Sequence, residues 1–117
     1  MYIIIAGAGK VGHFLAKRLL GDKHTVIVIE KDAAVCRKLS EEFNAIVVNG
    51  DACDPRYLEE AHIERADVLA AVTGEDEDNL VICQLAKEKF SVRRTVARVN
   101  DPKNEHTFCE LGIDVPI

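Results

Sequence analysis

The sequence predicts an α/β fold, a doubly wound parallel sheet with helices on both faces and strand order 3-2-1-4-5-6. Three observations carry that expectation. Short apolar runs alternate with helix-period segments from one end of the chain to the other, the pattern of parallel strands joined by crossover helices. The first run, Tyr2-Ile3-Ile4-Ile5-Ala6, passes directly into a glycine-rich turn, Gly7-Ala8-Gly9-Lys10-Val11-Gly12. Right-handed crossovers then lay the early strands to one side of the first strand and the later ones to the other.

Strands are expected at 2–6, 25–30, 45–49, 67–72, 94–99 and 113–117, with helices near 10–20, 32–43, 55–61, 76–89 and 102–111. In the first helix Val11, Leu15, Ala16 and Leu19 form an inward stripe, while Lys17 and Arg18 face water. Gly21 is expected to end that helix in the left-handed conformation. Asp32 can cap the second helix. Asp54-Pro55 and Asp101-Pro102 each place an N-cap acid before a proline suited to the first helical position. Pro116 in the last strand fits an edge, where a missing N–H is tolerated.

At 117 residues the chain suffices for one domain with a real core and is too short for two. Hydrophobic content of 48% beside 30% charged residues is that of an ordinary globular protein. No apolar run approaches the ~20 residues of a membrane-spanning helix, and Met1 leads into a strand without a basic leader, so neither membrane insertion nor a signal peptide is expected. A net charge of -5 argues against nucleic acid as the main partner, which needs a basic face to displace phosphate counterions. Cys36, Cys53, Cys83 and Cys109 form no C-x-x-C pair and read as reduced, packed thiols of a cytosolic protein. His106 and Cys109 share a helix face but have no second pair at ligand spacing, so no metal site is expected.

The chemistry centres on the glycine turn. Gly7 permits a sharp exit from the strand, Gly9 lets backbone approach a pyrophosphate, and Gly12 lets the following helix pack close to the sheet. The helix N-terminus offers unpaired N–H groups and partial positive charge to phosphates. Eighteen positions past Gly12, Glu30 ends the second apolar run. Its carboxylate would accept ribose hydroxyls and repel a 2′-phosphate, favouring NAD over NADP. Lys10, inside the turn, can pair with a phosphate or stand solvated. Asn49-Gly50-Asp51-Ala52 follows the third strand, where Asp51 can accept from an adenine amino group or close an Asx turn. Strand order places Thr73-Gly74 across the crevice from the glycine turn. Arg98, at a strand end, must face solvent or find an anion, either a phosphate or an acid such as Asp51. The run Glu75-Asp76-Glu77-Asp78 suits the first turn of a helix, since acids complement its dipole.

No Tyr-x-x-x-Lys pair is present, and none of the four histidines is an evident acid for hydride chemistry. The chain is expected to bind a nucleotide without a catalytic residue to use it. The alternative is the cofactor-binding domain of an NAD-dependent oxidoreductase whose catalytic part lies elsewhere.

Tyr2-Ile-Ile-Ile-Ala-Gly-Ala-Gly-Lys-Val-Gly12, Asn49-Gly-Asp-Ala52, Val72-Thr-Gly74 with Asp78-Asn79, and Ala97-Arg-Val-Asn100 together resemble the Trk/Ktr potassium-uptake regulators, over essentially the whole chain. Their cytosolic domains are called RCK or KTN domains. The resemblance implies a single Rossmann-like domain over 1–117 that binds NAD(H), or in relatives ATP and ADP. It implies a regulatory subunit in the cytoplasm, peripheral to the membrane, that reports occupancy to a potassium-translocating membrane subunit. Dimers assembling into a ring are implied as well. By position, Gly7, Ala8, Gly9, Lys10, Val11 and Gly12 correspond to the phosphate loop, Glu30 to the ribose acid, and Asp51 and Ala52 to the adenine turn. Thr73 and Gly74 correspond to the loop after strand four, and Arg98 to the strand-five arginine. Such relatives continue from the Gly112-Ile-Asp-Val115 strand into a crossover helix that helps build the dimer, so this chain is expected to be an excised domain or a short subunit.

Overall fold

Nearly uninterrupted apolar runs are what strands buried on both faces require, and the computed structural model, which describes residues 1–115, places them side by side. The strands are β1 (Tyr2–Ala6), β2 (Thr25–Glu30), β3 (Ile46–Asn49), β4 (Val68–Ala71) and β5 (Arg94–Ala97). They form one sheet in the order β3-β2-β1-β4-β5, all parallel. The connecting helices are α1 (Lys10–Gly21), α2 (Ala33–Glu42), α3 (Pro55–Glu60), α4 (Asp76–Gln84), continued by a π turn at Leu85–Lys89, and α5 (Glu105–Glu110). This is the expected Rossmann-like arrangement with five strands rather than six. Of the sixth, the described residues contain a single parallel bridge, Asp114 with Val96 beside β5. The expected edge residue Pro116, with Ile117, lies outside the described residues.

Alternation along each strand divides the core. Ile4, Ala6, Ile27, Ile29, Leu69, Ala71 and Ala97 face Leu58 of α3, Ile82 of α4 and Phe108 of α5. Ile3, Ile5, Val26, Val28 and Ala70 face Ala16 of α1 and Leu39 of α2, with Val11, Leu15 and Leu19 half-buried at its margin. No described helix is long and apolar enough to cross a membrane.

The helix ends follow local chemistry, with two departures from the expectation. Asp32 Oδ1 accepts from the N–H groups of Ala34 and Val35, and Asp54 Oδ1 accepts from Arg56. Asp101 likewise caps Lys103, but what it opens is a 3-10 turn, Pro102–Asn104, ahead of α5. Gly21 does not take the left-handed conformation. It is the last residue of α1, and Lys23 supplies the positive φ, 65°. The N–H of His24 reaches Leu19 and that of Lys23 reaches Leu20, the paired bonds of a Schellman motif with lysine in the usual glycine position.

Candidate nucleotide-binding site

Where the strand order reverses, between β1 and β4, the loops at the carboxyl ends separate and leave a crevice. Its volume is about 330 Å³, within the range of small-molecule sites. Gly7, Ala8, Gly9, Glu30, Asp51, Ala52, Thr73, Gly74 and Arg98 line it, so segments up to about ninety positions apart in sequence meet there. Lys10, Val11 and Gly12 do not. Lys10 is exposed at the start of α1, Val11 packs beside the core, and Gly12 sits behind the turn. The lining also includes Lys31, Gly50, Glu75 and Asp78, which were not singled out as site residues. Lys31 carried a positional signal, because it follows the acid at the end of β2.

One wall is the glycine turn. Gly7 has φ 104°, and a Cβ there would stand 3.0 Å from the Thr73 nitrogen. At Gly12 a Cβ would fall 1.9 Å from the Gly7 carbonyl oxygen, so α1 comes this close to the sheet only with glycine. Gly9 is different: nothing lies within 4 Å of a Cβ placed on it, and it fronts open space. It is also the N-cap of α1, with no side-chain cap for the first-turn amides. α2 and α3, capped by Asp32 and Asp54, satisfy theirs internally. The positive end of a 12-residue helix is thereby left for something in the crevice.

Glu30 is fixed at both oxygens. Oε1 accepts from the Ala8 N–H at 2.8 Å and Oε2 from the Asp32 N–H at 2.8 Å. Each oxygen retains a lone pair, so the carboxylate can take two further donors without moving. Asp51 does close an Asx turn, with Oδ1 accepting from the Cys53 N–H at 2.9 Å, and it is exposed to the crevice as well. Asn49 donates to the Glu30 and Lys31 carbonyls, tying the β2 and β3 exits together. Across the mouth, Lys31 Nζ lies 4.0 Å from Asp78 Oδ2. Arg98 is exposed and forms no ion pair among the described residues, neither with Asp51 nor with another acid.

The thiols nearby are not poised for reaction. Burial, with the Asp51 and Asp78 carboxylates adding to it, pushes the Cys53 thiol up to about 12. Burial does the same to Cys83, also to about 12. A reactive cysteine needs the opposite environment.

The TrkA-N domain family matches residues 3–117 of this chain. The chain belongs to that family. Among curated relatives, this TrkA-N domain is 43% identical over 114 residues to the Trk system potassium uptake protein TrkA homolog of Methanothermobacter thermautotrophicus, covering 97% of this chain and 52% of that protein. It is 40% identical to the Trk system potassium uptake protein TrkA of Mycobacterium tuberculosis, covering 100% of this chain and 53% of that one. The domain thus spans about half the length of these relatives. Solved structures with the same fold include the TrkA-N domain of the Escherichia coli inner membrane protein ybaL, with a TM-score of 0.90 at 23% identity over 99% of this chain and 85% of that one. The GsuK channel bound to NAD matches with a TM-score of 0.85 at 23% identity, over 97% of this chain and 21% of that one. The likeness to these structures is one of fold.

Proposed function

We propose that this TrkA-N domain is the nucleotide-sensing part of a potassium-transport system, taking NAD(H) or an adenine nucleotide (ATP or ADP) into the crevice between β1 and β4. The observation that carries this is the pairing of an uncapped α1 N-terminus with a Glu30 carboxylate pinned at both oxygens. A diphosphate would lie against the Gly9 backbone and the first-turn amides of α1, and the ribose hydroxyls would donate to Glu30. The adenine would reach the Gly50–Ala52 turn. Lys10 and Arg98 would supply positive charge towards the phosphates, with Thr73 and Gly74 as the opposite wall. Val11 and Gly12 serve by holding α1 against the sheet rather than by contact.

The curated relatives are named as potassium uptake proteins of Trk systems, which supports a role in transport rather than in catalysis. Support for these nucleotides comes from the fold neighbours, GsuK bound to NAD and a Kef domain of Shewanella denitrificans in an AMP-bound form. The domain would act in the cytoplasm as part of a homo-oligomer, on a potassium-translocating membrane subunit. A nucleotide biases such a partner only through its different affinity for two arrangements of the assembly. Calorimetric titration with NAD, NADH, ATP and ADP tests the reading. Saturable binding of at least one of them, lost in Gly9→Val, is expected; no binding by any of the four would overturn it.

A further inference from the structure

The β4–β5 wall of the crevice is organised by residues that do not line it. Asn79, in the first turns of α4, is completely buried. Its Oδ1 accepts from the Thr73 N–H at 2.9 Å and from the Thr73 hydroxyl at 2.6 Å. Its Nδ2 donates to the Thr73 carbonyl at 3.1 Å and to the Arg98 carbonyl at 2.9 Å. All four hydrogen-bonding positions of one amide are used, on two of the residues that face the crevice from this side. A second amide joins in. Asn100 Nδ2 donates to the Thr73 carbonyl at 3.2 Å and to Asp76 Oδ1 at 3.0 Å.

From Asp76 the bonds continue away from the crevice. Oδ1 accepts from the Asn100 N–H at 2.6 Å, and Oδ2 accepts from the Asp101 N–H at 2.9 Å and from Asn104 Nδ2 at 2.8 Å. Asn104 is the N-cap of α5, yet it makes no capping bond to its own helix and commits its side chain to Asp76 instead. The start of α5 is therefore tied to the loop that carries Thr73. Thr73 in turn packs beside the glycine turn, with its nitrogen 3.0 Å from where a Cβ on Gly7 would stand.

We infer that Asn79 is a positioning residue for the β4–β5 wall, and that Asp76 with Asn100 couples this wall to α5, so that crevice and α5 respond together. The inference deepens the nucleotide-binding reading and rests on it for its physiological sense. Occupancy that holds Thr73 in place would, through Asn100 and Asp76, hold α5 in place, although α5 touches no part of the crevice. The pairs in this chain lie 6 to 28 residues apart in sequence, and each is a direct hydrogen bond.

Amide hydrogen exchange on the full chain tests this, with α2 on the opposite face as internal reference. In the nucleotide-free protein, Asp76→Ala and Thr73→Val are expected to speed exchange across Glu105–Glu110 by about fivefold or more relative to Ala33–Glu42, a size typical of coupling between sites. Thr73→Ser, which keeps the hydroxyl donor, is expected to restore wild-type exchange in α5. In wild-type protein, saturating ADP or NAD slows exchange in α5, and Asp76→Ala abolishes that slowing. α2 and α5 changing in step would mean general destabilisation and overturn the inference, as would an α5 that ignores Asp76→Ala. Bound nucleotide without slowing in α5 overturns it too. Absence of nucleotide binding in the wild type instead defeats the functional reading, and the nucleotide-free arm still decides on the coupling.

Discussion

The β1–β2 wall of the crevice is shaped by backbone, with glycines at Gly7, Gly9 and Gly12 and a single acid, Glu30, bonded to two main-chain amides. The β4–β5 wall is shaped by side-chain amides and one carboxylate, Asn79, Asn100 and Asp76, each making several bonds across loops. The first kind of wall is close-packed at Gly7 and Gly12, where an added Cβ would clash, and open only at Gly9. The second is rigid only while every polar partner is in place. A backbone wall suits a constant task such as gripping a diphosphate, and a hydrogen-bonded wall suits a task in which a small push must be felt elsewhere.

The contrast is sharpest where each wall is most constrained. Gly12→Ala should show the largest effect, because its Cβ would meet the Gly7 carbonyl oxygen at 1.9 Å and α1 would have to lift from the sheet. A loss of about 3 kcal/mol or more in urea unfolding is expected, as for severe overpacking, together with loss of nucleotide binding. Asn79→Ala comes next, since it leaves the Thr73 and Arg98 main-chain groups without their partner in a buried site. Roughly 2–3 kcal/mol is expected by the same measurement. Equal and negligible losses in both variants would show that neither wall is built as described.

How far each wall could be read from sequence follows from the same difference. Glycines and an acid at fixed offsets from a strand are local signals, so Gly7, Gly9 and Glu30 are legible in the sequence. Asn79 enters only within the Asp78-Asn79 part of the family resemblance, and Asp76 only as a helix-start acid; neither role in the wall is signalled. Beyond the Asn79 bonds to Thr73, their partners lie in the segment after β5, 19 to 28 residues on, and only the folded sheet brings them together. The acidic run Glu75–Asp78 read simply as a helix start, which it is, but its members do three things: Asp76 holds the loop 100–104, Asp78 faces Lys31, and Glu75 lines the crevice. Strand order and helix placement were readable because periodicity is a whole-chain signal. The end of α1 was not, because the register of the Schellman motif, set by where the last helical bonds close, put Lys23 rather than Gly21 at the positive-φ position. Similar Asp-Pro pairs at Asp54 and Asp101 open an α-helix and a 3-10 turn respectively, a difference that the Asp-Pro signal does not carry.

A milder way to loosen the second wall is acid. Partial burial opposes ionisation of Asp76, but the donors from Asn100, Asn104 and Asp101 outweigh it and hold its pKa down at about 2, from an ordinary 3.8. A depressed folded-state pKa means that the ionised form stabilises the fold fully above the unfolded value and is lost as pH falls through the folded one. About 1 kcal/mol, after discounting for solvent screening of this partly exposed carboxylate, should therefore disappear between pH 4 and pH 2, and Asp76→Asn should flatten that part of the stability-against-pH curve. An unchanged curve in Asp76→Asn would place the acid sensitivity elsewhere.

The smallest change in stability is expected at Gly9, and it separates gripping from folding most cleanly. Gly9 has φ -72° and ψ -160°, a backbone any residue can adopt, and an added Cβ meets nothing within 4 Å. Gly9→Ala should thus leave unfolding free energy within about 0.5 kcal/mol of wild type, the range of a surface substitution. The space the new methyl enters is the approach to the α1 amides, where a diphosphate would need contact with bare backbone. Nucleotide affinity is therefore expected to drop by about tenfold or more, measured by the titration that detects wild-type binding. Affinity retained alongside retained stability would mean that the phosphates lie away from α1, and it would shift the grip to the Thr73 and Arg98 side.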